Sequence, residues 1–190
     1  MAFTVIRLND LMNEVGEEFV GELFSAFSCP VNEDVESFLK EKAILFQGMD
    51  VSRTYLVFTS YKGENVFVGY FALALKILPI RKGVSPTQRK KLTGTKSAGV
   101  TFIPAILIGQ LGKNFSCGYN KLITGRELLG LALRKVLEIH QDIAGKVIFL
   151  ECVDDRKLCE FYEACGFQAY GINPDGLRQF IRYTKNITLE

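Results

Sequence analysis

The chain has 190 residues, 48% hydrophobic and 23% charged, a size and composition that read as one compact domain over 1–190 and exclude a disordered chain or a multidomain assembly. Its longest apolar runs, Val66–Leu75 and Val100–Leu111, fall short of the roughly 18–20 residues that cross a bilayer, and residues 1–10 lack the basic start and apolar core of a secretory signal, so a cytoplasmic protein without membrane contact is expected. Net charge is only +2, but ten Lys and Arg and not one acid lie between Glu64 and Glu127, which leaves 13 minus 21, or minus eight, for the rest; a solvated basic loop accounts for part of this, and an anionic partner accounts for the absence of acids.

Phe3–Leu8 alternates as a strand and ends at Asn9-Asp10, which can cap a helix running to about Phe27 with Leu11, Val15, Phe19, Leu23 and Phe27 on one face. Ser28-Cys29-Pro30 breaks it. Asn32 or Asp34 can cap a second helix, which Gly48 ends. Thr54–Ser60 and Val66–Leu75 form a hairpin across a five-residue linker centred on Gly63. From Leu78 to Gly99 there is no sustained periodicity, and a long basic loop is expected, carrying Arg81, Lys82, Arg89, Lys90, Lys91 and Lys96. Thr101–Leu111 is apolar enough for a central strand buried on both faces, with Pro104 near its start. Gly125 opens a helix with an apolar face of Leu128, Leu129, Ala132 and Val136. Lys146–Leu150 follows as a strand, then a short helix capped by Asp154 or Asp155 and stopped by Gly166, then strands at Phe167–Tyr170 and Arg178–Thr184. The order β-α-α-β-β-(loop)-β-α-β-α-β-β implies a mixed α/β (α+β) sheet with one central parallel crossover.

Cys29, Cys117, Cys152, Cys159 and Cys165 contain no C-x-x-C pair and no neighbouring histidines, so reduced thiols and no metal site are expected. The single histidine, His140, stands near the end of a helical pattern and reads as a packing or terminal residue, which argues against a Ser-His-Asp triad.

The segment Glu151–Phe167 resembles the N-x-x-A-x-x-F-Y-x-x-x-G-F signature of the GNAT superfamily of acetyl-CoA-dependent N-acyltransferases: Phe161, Tyr162, Gly166 and Phe167 match, and Asp155 and Leu158 stand at the Asn and Ala positions. Leu107–Lys113 is similar to that superfamily's fourth strand and Gly125–Leu129 to the start of its cofactor helix. Phe27–Leu39, Thr54–Phe58, Gly69–Ala74 and the basic loop before a Pro-containing strand resemble one branch, the acetyltransferase toxins of bacterial toxin–antitoxin pairs, which acetylate the amino group of aminoacyl-tRNA.

The resemblance implies a GNAT-type, mostly antiparallel sheet of six to seven strands flanked by helices, with acetyl-CoA as cofactor and direct attack by an amine. It implies that backbone amides of Leu111, Gly112 and Lys113 hold the pantetheine arm, that Asn120, Lys121, Leu122, Ile123, Thr124, Gly125 and Arg126 form the pyrophosphate loop, that Asp155 belongs to the cofactor site, and that Tyr162 protonates the leaving thiolate. The loop departs from the family's Q/R-x-x-G-x-G/A: aligned on Gly125-Arg126-x-Leu-Leu only the last glycine remains, and aligned one glycine earlier Glu127 takes the final small position. A helix N-terminus is nonetheless a suitable anion site, since its free N–H groups and dipole face the phosphate. The fourth strand has no Glu or Asp, so the amine arrives neutral or a water relays its proton; Glu151 reads as structural. The basic loop, Arg81 to Lys96, would hold tRNA phosphates. An antitoxin partner and a homodimer come with the same resemblance. Two other readings stay open: the same chemistry on a small amine or a protein amine, and a degenerate member that binds CoA or a partner without turnover.

Overall fold

The computed structural model describes residues 2–188. Seven strands form one mixed sheet in the order β1-β2-β3-β4-β5-β7-β6. They are β1 (Phe3–Arg7), β2 (Arg53–Tyr61), β3 (Glu64–Pro79), β4 (Phe102–Lys113), β5 (Val147–Cys152), β6 (Gln168–Ile172) and β7 (Arg178–Tyr183). The β4–β5 pair is parallel, and β1–β2, β2–β3, β5–β7 and β6–β7 are antiparallel. The helices are α1 (Leu8–Val15), α2 (Glu17–Ser25), α3 (Glu33–Ser37), α4 (Ala43–Gly48), α5 (Pro86–Thr93), α6 (Gly125–Asp142) and α7 (Arg156–Ala164), with a π-turn over Phe38–Lys42 between α3 and α4. The crossover between β4 and β5 runs through α6, as a parallel connection requires. This is the GNAT-type mixed sheet that the motif order implies.

The chain divides into two compact units. The first comprises residues up to Ala74 together with Gly109–Leu133. Its core packs Leu8, Val20, Phe24, Phe27, Leu39, Leu56 and Tyr70, each at most 1% exposed. The second comprises Leu75–Ile108 and the chain from Arg134 onward. Its core packs Leu78, Leu92, Val147, Phe149, Tyr170 and Ile181. Both cores are built from one face of strands and one stripe of helices, the arrangement that hydrophobic burial selects.

Four expectations about elements are corrected. The first helix is two, because Gly16 adopts φ 86°, ψ 158° between them, a conformation no helix can continue; Val15 and Phe19, expected on the apolar face, are exposed. The hairpin linker is shorter than five residues, since the strands reach Tyr61 and Glu64 and only Lys62 and Gly63 turn, at φ 53° and 86°, as two-residue primed turns require. The expected basic loop contains α5, started by Ser85, whose Oγ accepts from the Gln88 amide, with Pro86 in the first turn, and ended by left-handed Gly94; these are sound helix signals, but its one buried residue, Leu92, gives no periodicity. β4 is not buried on both faces: Phe102, Pro104 and Gly109 are exposed, while Ile103, Ala105, Ile106 and Ile108 are buried.

Candidate active site

In the second unit the parallel ladder between β4 and β5 is three residues long, Ile106↔Ile148 to Ile108↔Leu150. β4 continues past it to Lys113. The tail, Gly109–Lys113, belongs to the first unit, where α3 is fastened to it. A Cβ on Gly112 would stand 2.2 Å from Val35 Cγ1, and one on Gly69 would stand 2.6 Å from the Gly112 carbonyl oxygen; only glycine permits these approaches. The Tyr70 hydroxyl donates to the Val35 carbonyl at 2.5 Å and Gln110 Nε2 donates to Asp34 Oδ2 at 2.9 Å. Asn32 caps α3 by accepting from the Val35 amide.

Asn114 closes the tail. Its Oδ1 accepts from the amides of Ser28 and Ser116, its Nδ2 donates to the Phe67 carbonyl and its own amide donates to the Val68 carbonyl at 2.8 Å. At 4% exposure every one of these bonds replaces water, and losing the side chain would strand three backbone groups. Lys113 Nζ donates to the Asn120 carbonyl at 3.1 Å and lies over the Phe115 ring. A short 3₁₀ stretch, Ser116–Lys121, follows, turned by Cys117 and Gly118 in left-handed conformations.

The start of α6 carries a capping box. The Glu127 carboxylate accepts from both the amide and the hydroxyl of Thr124 at 2.7 Å, and Thr124 Oγ1 accepts from the Glu127 amide at 3.1 Å. These bonds hold the Glu127 carboxyl below the usual carboxylate range. The box engages the first and fourth amides of the helix entry, with those of Gly125 and Arg126 between them. Ile123 is buried, Leu122 is half-buried and Lys121 is exposed.

In the second unit, Asp155 caps α7, its Oδ1 accepting from the Leu158 amide at 2.8 Å. Tyr162, 8% exposed, packs against Phe161, Phe167 and Phe180 with ring centroids 5.2–6.1 Å apart. Burial pushes its phenol well above the ordinary tyrosine value, with Cys152 and Cys165 adding to the effect. Glu151 Oε1 accepts from Gln179 Nε2 at 2.7 Å, across the β5–β7 ladder.

The basic residues divide into two groups. Arg81 donates to the Tyr170 carbonyl and lies over the Tyr170 ring, and Arg89 donates to the Val100 carbonyl at 2.7 Å, so both brace the backbone. Lys82, Lys90, Lys91 and Lys96 are exposed and make no salt bridge among the described residues. Cys29, Cys117, Cys152 and Cys159 are free thiols. No cluster of potential metal ligands occurs among the described residues, and none of their helices is long and apolar enough to cross a membrane. Sequence reasoning missed Asn114, whose role depends on contacts 47 and 86 residues away; Glu127 was visible as the last residue of Thr-x-x-Glu.

No protein-family model matches the chain, and no curated protein matches it. Solved structures match over nearly its whole length. A tyrosine-to-phenylalanine mutant of KacT is 20% identical with a TM-score of 0.69, and the match covers 97% of this chain and 96% of that one. AtaT complexed with acetyl-methionyl-tRNAfMet is 18% identical with a TM-score of 0.70, at the same coverages. AtaT bound to the C-terminus of the antitoxin AtaR and acetyl-CoA is 18% identical with a TM-score of 0.63, covering 96% and 94%. The chain therefore shares the fold of KacT and AtaT over nearly its whole length.

Proposed function

We propose that this chain is an acetyl-CoA-dependent N-acetyltransferase that acetylates the amino group of aminoacyl-tRNA, works as one catalytic domain in the bacterial cytoplasm, and is held in check by an antitoxin. The observation that carries the proposal is the likeness over nearly the whole chain to AtaT, whose structure holds an acetyl-methionyl-tRNA.

Acetyl-CoA supplies an acetyl group already activated as a thioester. The residues of the first unit suit it: the β4 tail past Ile108 runs beyond its parallel partner, so the backbone of Leu111, Gly112 and Lys113 would hold the pantetheine arm and polarise the thioester carbonyl. Gly125 and Arg126, with exposed Lys121, would take the pyrophosphate at the α6 entry. Tyr162 keeps its phenolic proton at neutral pH because burial disfavours the anion, and in this reading it releases that proton to the departing sulfur. The α-amine of an aminoacyl ester attacks the carbonyl carbon, the carbon–sulfur bond breaks, and the amine's proton passes to water, since no Asp or Glu lies on β4. Asp155, engaged as a helix cap, would act by fixing the start of α7 rather than by touching the cofactor.

A second reading, a member that binds a partner without turnover, is favoured by one feature: the Glu127 carboxylate sits at the helix end that would receive the pyrophosphate. The two readings are separated by incubating the purified protein with labelled acetyl-CoA and charged tRNA, deacylated tRNA, polyamines or proteins. Label on charged tRNA alone, released by mild base as an acetyl-amino acid, is expected. Label on another amine, or none, overturns the tRNA reading.

A further inference from the structure

The second unit contains a cavity of about 440 Å³, a volume within the roughly 300–1,000 Å³ of small-molecule sites. On one side the first turn of α5 supplies Thr87 and Gln88, with Lys91 one turn on; on the other stand Gln168 from β6 and Lys185 and Asn186 just after β7. None of the lining residues is acidic. Neither lysine has an ion-pair partner among the described residues. Two uncompensated cations, Lys91 in the last turn of α5 and Lys185 just after β7, set a positive potential inside the cavity.

Tyr183 also lines it. The residue is only 8% exposed, so its ring forms a fixed part of the wall while its hydroxyl can donate to or accept from a ligand there. The wall below is fixed, because Arg182 donates to the Cys165 carbonyl at 2.9 Å and to the Asn186 carbonyl at 3.2 Å. The three amide side chains, Gln88, Gln168 and Asn186, each offer a donor pair and an acceptor, the complement of a nucleobase edge. A lone inorganic anion would leave most of that volume and all of that amide chemistry unused.

We propose that this cavity is a nucleotide subsite that takes one backbone phosphate on Lys91 and Lys185 and the adjoining base against the amide side chains and Tyr183. The nucleotide belongs to an RNA chain, an assignment that rests on the aminoacyl-tRNA reading above; α5, with Arg89, Lys90 and Lys91 in sequence, continues the positive surface that a polynucleotide would follow.

The test measures binding of deacylated tRNA and of AMP to the full chain by fluorescence anisotropy across a salt series, apart from any acetylation assay. Lys91→Glu/Lys185→Glu should weaken tRNA binding by about tenfold or more and reduce the salt slope by about one, for the one phosphate lost. Lys91→Gln/Lys185→Gln, closer in size, gives the same direction should charge reversal unfold the chain. A control reversal of two exposed lysines elsewhere, Lys42→Glu/Lys62→Glu, should leave both quantities nearly unchanged. Equal loss in the control would overturn the subsite, as would wild-type tRNA affinity in both cavity variants. AMP binding that the cavity variants abolish while tRNA binding is unaltered would overturn RNA as the occupant. Because the probe is deacylated tRNA, loss of the acetylation reading and loss of the subsite appear in different measurements.

Discussion

Tyr162 has two duties that a single atom separates. Its ring is part of a cluster with Phe161, Phe167 and Phe180, while its hydroxyl is the proposed proton donor. Tyr162→Phe keeps the ring, so turnover should fall by about 10²-fold or more with the thermal midpoint and acetyl-CoA affinity nearly unchanged. Loss of stability without loss of turnover would reduce the residue to packing. The pH profile carries the same information. An α-amine loses its proton near pH 7.7–8.0, and a phenol held above its ordinary value of 10.0 stays protonated beyond that; kcat/KM should therefore rise to a plateau and hold it to at least about pH 10. A decline beginning near pH 9 in single-turnover measurements would exclude this phenol as the acid. Glu127 presents the opposite conflict. Its box stabilises the start of α6, yet its negative charge opposes a pyrophosphate there. Glu127→Gln should tighten acetyl-CoA binding several-fold in calorimetry while lowering stability by roughly 0.5–1 kcal/mol; weaker binding would mean that the pyrophosphate lies elsewhere.

At the scale of elements, the β4 tail is a strand end held in shape by neighbours remote in sequence. Asn114→Ala leaves the Phe67 carbonyl and the amides of Ser28 and Ser116 without their partner, and should lower unfolding free energy by about 1–3 kcal/mol, read as a lower denaturant midpoint at constant slope. Gly69→Ala brings a methyl against the Gly112 carbonyl and should disturb the same tail from the other side; an Ala variant at half-buried Gly130, where nothing lies within 4 Å, should not. These couplings also mark where the sequence was legible. The order of elements along the chain and the crossover helix follow from local periodicity and caps, because each is written within about 20 residues, and the α7 segment is recognised by its resemblance to a family signature. The Gly16 break, the two-residue hairpin and α5 were misjudged where apolar spacing outweighed a single backbone-determining residue. For the candidate site, Tyr162 and Gly125 are expectations carried by the family resemblance, whereas the Asn114 hub and the Val35–Gly112 contact arise from tertiary proximity that no local pattern encodes.

For the whole molecule, the charge division and the titration behaviour point to different conditions of vulnerability. The acid-free middle makes association with polyanions salt-sensitive, but folding stability is governed by groups buried in their neutral form. Burial raises the thiols of Cys29 and Cys152, the latter to about 12, and the phenols of Tyr70, Tyr162, Tyr170 and Tyr183. In the unfolded chain these groups ionise from about 9.0 and 10.0 upward, so above pH 9 the unfolded state binds fewer protons than the native one and stability must fall as pH rises. On the acid side, lowered carboxyls at Glu36 and Glu127 contribute stability that is complete above about 4.5 and is lost only as pH falls below it. Thermal midpoints should therefore change little between pH 5 and 8 and drop steeply between pH 9 and 11. Tyr162→Phe, which removes one of the buried phenols while preserving its packing, should make that alkaline drop shallower; a variant that falls as steeply as the wild type would show that this phenol ionises equally in both states, and burial would no longer be the force that holds its proton for the thiolate.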